Sequence, residues 1–260
     1  MRIARFSLPD DTMVFAAIEG DGVTEPEMVR PMRGHPFGEP DLVDGTVPLA
    51  GLRMLPPVLP SKIVAIGKNY RGHAAEMGSD LPASPLMFLK PNTTVIGPGG
   101  TIRIPEQSER VDFEAELAVV IGKLCRHVSV DDADQVVLGY TCANDVTARD
   151  LQVRDGQWTR AKGFDTFCPL GPWIQTDPLP DSAVVQCEVN GDVRQQAPLT
   201  DMVFDVRHLI AHITSVMTLL PGDVILTGTP AGIGPLADGD HVKVTIDGIG
   251  SLNNEVVLGD

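Results

Sequence analysis

The chain is short of positive charge: 20 lysines and arginines stand against 35 aspartates and glutamates in 260 residues, a formal net charge of −15. Such a surface repels phosphate backbones and anionic lipid, so nucleic-acid and membrane-surface roles lack their electrostatic basis, whereas divalent cations are favoured partners. Long apolar runs are missing as well. The longest candidate, residues 209–226, is interrupted by His212, Pro221, Gly222 and Asp223, and a membrane span needs roughly 18 uninterrupted apolar residues. Met1-Arg2-Ile3-Ala4-Arg5 has no signal-peptide core, which makes a cytoplasmic enzyme the expectation. The four cysteines, Cys125, Cys142, Cys168 and Cys187, lie 17, 26 and 19 residues apart. This fits neither a zinc nor a thioredoxin-like spacing and implies reduced core residues. The glycine-rich run Thr227–Gly234 lacks the Gly-Lys-Ser/Thr of a phosphate loop, and Pro235 follows where a helix should begin, so nucleotide binding is rejected. No internal repeat or low-complexity tract is present.

What the chain does have is strand-forming sequence. A hydrophobic content of 43% over this length is enough to bury a sizeable core. Residues 3–8 and 13–18 read as strands, with turn signals at Pro9-Asp10-Asp11 and Gly20-Asp21-Gly22. Pro48, Pro56, Pro57 and Pro60 mark a linker, dividing a small N-terminal β-rich domain (1–55) from a larger domain (56–260). Further strands are expected at 62–67, 86–90, 113–122, 138–144, 184–190, 224–227 and 242–246, with a hairpin turn at Asn190-Gly191. One helix is signalled from about Asp201 to Leu220, ended by Pro221-Gly222. Without regular strand-helix alternation, the expected class is a β-rich α+β fold.

Residues 112–116 read Asp-Phe-Glu-Ala-Glu and lead into the wholly apolar run 117–121. In an extended chain Glu114 and Glu116 point the same way, about 7 Å apart, and two such anions repel unless a cation lies between them. A third carboxylate, Asp145, ends the apolar strand before Val146; it could serve as a metal ligand or cap a following helix. Three carboxylates make a hard, oxygen-only site suited to magnesium, manganese or calcium. Lys162 lies in an aromatic-rich stretch, where it either pairs or snorkels to the surface. His73 and Glu76, at i and i+3, share a helical face as a general-base pair or an incidental ion pair. His208 and His212 have metal-binding spacing but no acidic partner of the H-E-x-x-H kind. The glycine-rich loop is expected to offer backbone N–H groups and the Thr229 hydroxyl to a substrate carboxylate.

Taken in order, IGKNYRGHAAEMG, PLMFLKPNTTVIGPGG, VDFEAELAVVIG, NDVTARDLQ, WTRAKGFDTFCPLGPW and PGDVILTGTPAGIG resemble the fumarylacetoacetate hydrolase family over about residues 61–258. The resemblance implies a mixed β-sandwich roll like the C-terminal domain of that family, a homodimer, and a magnesium or manganese ion on Glu114, Glu116 and Asp145, with calcium admissible. It further implies Lys162 as the catalytic lysine, a lid bearing His73 and Glu76, and substrate contacts from Arg149, Gln152 and Thr229. The first 55 residues match only loosely. The expected substrate is a small 2-oxo acid that chelates the ion and reacts through an enolate stabilised by the metal and Lys162. Hydrolysis of an acylpyruvate such as fumarylpyruvate, or decarboxylation of oxaloacetate, is the favoured outcome. Isomerisation of 2-hydroxyhepta-2,4-diene-1,7-dioate is the alternative, and a non-catalytic, metal-stabilised binding or scaffold protein is the alternative from another class.

Overall fold

The computed structural model describes residues 1–8, 10–20 and 28–259. Pro9 and the turn residues Asp21-Gly22 lie outside the described residues. Strands dominate, as the β-rich α+β expectation requires. The α-helices among the described residues are short: α1 (Arg71–Glu76), α2 (Arg149–Asp155), α3 (Thr159–Lys162) and α4 (Val206–Val216).

The main path of the larger sheet runs Asp41–Leu42, Met28–Arg33, Met13–Glu19, Arg2–Ser7, Cys168–Gln175, Val137–Asn144, Ala115–Ile121, Val224–Leu226, Ile63–Gly67, Leu86–Lys90. Its N-terminal strands join through the antiparallel pair Arg2↔Gln175 and Ile3↔Ile174, so the strands described between Arg2 and Leu55 extend the same sheet. No residue of Ala115–Ile121 is more than 2% exposed, which explains why its run 117–121 is apolar without alternation. One face, through Val119 and Ile121, packs on Leu209, Ile210 and Ile213 of α4. Further along the same face, Leu117 and Cys142 meet Val185 and Val244 of a second, five-stranded sheet. The opposite face buries Ala118, Val120, Ala143, Leu170 and Ile174. The Asn190-Gly191 hairpin forms, with φ of 55° and 86°, both positive as a type I′ turn demands. All four cysteines are free and buried.

Three sequence-based boundaries shift. The expected helix from Asp201 to Leu220 is shorter at both ends. It starts only after Asp205, whose carboxylate accepts the N–H of His208 at 2.9 Å as an N-cap. It stops at Val216 because Met217 is extended and Leu219 pairs with Cys125. The strand expected over 113–122 is broken at Glu114, dividing Val111–Phe113 from Ala115–Ile121. The helix after Asp145 starts at Arg149 rather than Val146, because Thr147–Ala148 first pairs with Val111–Asp112.

Candidate active site

The break at Glu114 builds the site. Val111–Phe113 leaves the larger sheet to pair with Thr147–Ala148 and Gly234–Pro235, while Ala115–Ile121 stays within it. At the junction, the Glu114 N–H donates to Asn144 Oδ1 at 2.9 Å and its carbonyl accepts the Asp145 N–H at 2.8 Å. Register Glu116↔Ala143 and Ala115↔Asn144 sets Asp145 one residue past the ladder, beside Glu114. One carboxylate oxygen from each of Glu114, Glu116 and Asp145 lies within 4.8 Å of the others, and all three residues are buried. Asp145 caps no helix: the N-cap of α2 is Ala148.

Cations surround two of the acids. Lys162 Nζ, 2% exposed, donates to Glu114 Oε2 at 2.8 Å and Asp145 Oδ2 at 2.6 Å, and lies 5.1 Å from the Phe88 ring centroid. The snorkelling alternative is thereby replaced by a buried, paired ammonium. Lys90 Nζ holds the other Asp145 oxygen at 2.5 Å. Arg149 is spent on protein acceptors, giving Nη2 to Glu114 at 2.5 Å, Nε to Asp112 at 2.9 Å and Nη1 to Gln152 Oε1 at 2.7 Å. Burial alone raises the Glu114 carboxyl, but Lys162 and Arg149 outweigh it and hold it well below the ordinary range. For Lys162 burial works against the charge, yet Asp145 and Glu114 raise its pKa and keep it protonated. Glu116 is left over. Its Oε2 accepts the Gly228 N–H at 2.6 Å, and burial, then Asp145 and Glu114, push its carboxyl well above the ordinary value. A buried oxygen-only trio whose third member has no cationic partner among the described residues fits one added hard divalent ion.

The glycine-rich loop ties this trio to the His73–Glu76 pair. His73, 6% exposed, holds Nδ1 3.3 Å from Glu76 Oε2, and Glu76 in turn accepts the Gly232 N–H at 3.1 Å. The loop N–H groups of Gly228 and Gly232 therefore serve protein carboxylates, not the substrate carboxylate expected from sequence. Thr229 lines the pocket, but its hydroxyl donates to Ala115 O at 2.9 Å and accepts from Gln195 Nε2 at 2.8 Å. Gln195, 1% exposed, also accepts the Ala115 N–H at 2.9 Å and donates to Pro230 O at 2.7 Å, fixing the loop against the Glu116 strand.

Of the nine catalytic, substrate-binding and metal residues that the family resemblance implies, eight line one pocket, and Glu76 stands behind His73. The pocket, about 40 Å³, is lined by Glu114, Glu116, Asp145, Lys162, His73, Arg149, Gln152 and Thr229, with Phe88, Trp158 and Met77 as its apolar wall and Lys68 completing the polar side. Sequence reading missed Lys90, Asp112 and Gln195. A lysine closing the apolar strand Leu86–Lys90 was the available signal for the first; nothing local marks Gln195, which lies on a strand of the second sheet. His208 instead pairs with Asp205 on the surface.

The chain belongs to the fumarylacetoacetate (FAA) hydrolase C-terminal family, which matches residues 62–257. A second family, Rv2993c-like, N-terminal, matches residues 1–57. A 5-carboxymethyl-2-hydroxymuconate delta-isomerase from Mycobacterium smegmatis is 49% identical with a TM-score of 0.92, each chain covered in full. An oxaloacetate tautomerase, fahd2, mitochondrial, from Xenopus laevis is 43% identical across 80% of this chain and 69% of its own. A maleylpyruvate hydrolase from Sphingobium sp. SYK-6, solved with manganese (II) ion and pyruvate, is 32% identical with a TM-score of 0.81, again with both chains fully covered. This chain is thus an enzyme of the family. No helix among its described residues is long and apolar enough to cross a membrane.

Proposed function

We propose that the chain catalyses proton transfer next to the carbonyl of a small 2-oxo acid, through its enolate, in a magnesium- or manganese-dependent tautomerisation or isomerisation. The observation that carries this reading is the placing of His73 and Lys162 on one small pocket with the carboxylate trio. A divalent ion held by Glu114, Glu116 and Asp145 would supply Lewis-acid charge to the carbonyl end of the substrate. Lys162, already protonated and desolvated, offers a fixed positive charge to the negative charge that develops as the proton leaves. Glu76 on Nδ1 favours the tautomer that keeps a proton there, so His73 presents Nε2 as the base that takes the substrate proton and returns it. Arg149 holds Gln152 at the rim of the same pocket.

The sequence favoured hydrolysis or decarboxylation; the emphasis moves because the isomerase and tautomerase relatives are more similar to this chain than the hydrolase. Acylpyruvate cleavage is kept as a second reading on the manganese- and pyruvate-bearing hydrolase, since the same dyad would activate water. A scaffold role is disfavoured because the acids open onto a pocket.

With manganese present, the protein is expected to accelerate enol–keto interconversion of oxaloacetate, followed by ultraviolet absorbance, and His73→Ala to lower kcat by about 10²–10⁴-fold. No acceleration with oxaloacetate, acetylpyruvate or fumarylpyruvate would overturn the enzymatic reading. A His73→Ala protein of normal turnover would remove the base. The homodimer implied by the family resemblance is also proposed, and light scattering giving the mass of a single chain would reject it.

A further inference from the structure

Asp192–Pro198 is a largely exposed strand of the second sheet with one buried residue, Gln195, 1% exposed. A bulge aims that residue inward. Gln195 pairs with Cys187 and Val193 with Glu188, which leaves Arg194 as an extra residue on this strand. The extra residue breaks the two-residue alternation that would put Val193 and Gln195 on one face. Val193 therefore turns out, to 52% exposure, while Gln195 faces in. A buried amide is costly unless its hydrogen bonds are made, and those of Gln195 all go to the active-site side.

The contacts clamp one segment. Gln195 Oε1 accepts the N–H of Ala115, the residue between Glu114 and Glu116, at 2.9 Å. Its Nε2 donates to Thr229 Oγ1 at 2.8 Å and Pro230 O at 2.7 Å, and the Thr229 hydroxyl closes the ring on Ala115 O at 2.9 Å. Beyond Pro230, the carbonyl of the bulged Arg194 fills the space that a Cβ at position 232 would need, and Gly232 has a φ of 101°. The clamped segment serves two parts of the site. At one end the Gly228 N–H donates to Glu116 at 2.6 Å; at the other the Gly232 N–H donates at 3.1 Å to Glu76, which holds His73 Nδ1 at 3.3 Å. The place of this loop is thus set by a strand that contributes no residue to the pocket wall.

We propose that Gln195 is a positioning residue, which sets the spacing between the carboxylate trio and His73 by clamping the glycine-rich loop onto Ala115. This deepens the proposed function and rests on it for the role of His73 as the base. The second sheet then acts on the chemistry without touching the substrate.

Gln195→Met keeps the length of the side chain and removes the amide. It is expected to weaken manganese binding by about 10–100-fold in calorimetry, the loss typical of a group that orients a metal ligand. At saturating manganese, kcat for oxaloacetate should fall about 10-fold or more while KM moves less. In the magnesium-loaded protein, nitrogen NMR of His73, assigned by its absence in His73→Ala, should show the Nδ1–H tautomer of the wild type giving way to a mixture. Thr229→Val leaves Gln195 in place and takes away the hydroxyl that Gln195 holds. The two changes together should cost little more manganese affinity than either alone, because the side chains act as one unit. A Gln195→Met protein that loses Tm but keeps its manganese affinity and His73 tautomer overturns the assignment, as do losses that simply add in the double variant. If Gln195→Met does not fold, Thr229→Val carries the test, and unchanged manganese affinity and His73 tautomer reject the clamp. Affinity and tautomer both shifted by Gln195→Met, in a protein that turns over no 2-oxo acid, uphold the clamp and sink the proposed reaction instead.

Discussion

Lys162→Met is expected to lower kcat by about 10²–10³-fold under saturating manganese, the loss that follows removal of one preorganised donor to a developing oxyanion. The size of the effect comes from burial. Lys162 is 2% exposed and donates at 2.8 Å and 2.6 Å to two carboxylates, so its charge acts where water does not screen it. Methionine has nearly the same length and keeps the contact with Phe88 without the charge. In the metal-free protein the substitution also strips Glu114 and Asp145 of a shared partner, which lowers stability and makes the two acids stronger attractors of a cation. The expected signature is therefore split: manganese affinity by calorimetry held or increased, turnover lost. Near-normal kcat in Lys162→Met would take this lysine out of the chemistry and leave it a structural counter-ion.

Glu116→Gln is expected to weaken manganese binding by more than about 100-fold, beyond the usual loss when only a supporting partner of a ligand is removed. It also removes a pH dependence. After chelation, the Glu116 carboxyl of the folded wild type titrates well above its ordinary value near 4.5, through burial and then the charges of Asp145 and Glu114. Folding then favours the protonated form. The stabilisation is fully present below about 4.5 and is lost as the pH rises through the higher folded value. Glu114, held low, contributes in the opposite sense, and its share is lost progressively as the pH falls below about 4.5. The Tm of chelated wild-type protein should therefore fall as the pH rises above about 4.5, and the gap to the manganese-loaded protein should widen. Glutamine keeps an acceptor for the Gly228 N–H without needing a proton, so the chelated variant should lose that slope. Scanning calorimetry across pH, with and without manganese, reads both. Equal manganese affinity in wild type and variant would show that Glu116 is no ligand.

How much of the site was legible follows from the distance over which each signal acts. Glu114 and Glu116 announced themselves because acids beside a doubly buried strand violate its pattern within two residues. Lys162 and Asp145 were visible for the same reason, a charge against an apolar or aromatic background, yet their alternatives stayed open until Nζ was seen between two carboxylates. Gln195 left no such trace. A buried glutamine on a strand of the second sheet looks like any polar residue of a half-exposed strand, and its three hydrogen bonds join it to residues 34, 35 and 80 positions away. The helix boundaries were overread because apolar spacing continues past Val216, where Leu219 is claimed by Cys125 instead of by another turn.

The sequence by itself determined the strand-rich class, the acidic trio and its preference for a hard cation, since these depend on residue type and on the two-residue period of an extended chain. Only the tertiary structure decided which carboxylates are neutralised by lysine and arginine and which one is left for an ion. It alone also showed that the glycine-rich loop gives its N–H groups to Glu116 and Glu76. Charge pairing and desolvation are set by a few ångströms in space between groups far apart along the chain, and the order of the residues does not encode those distances locally.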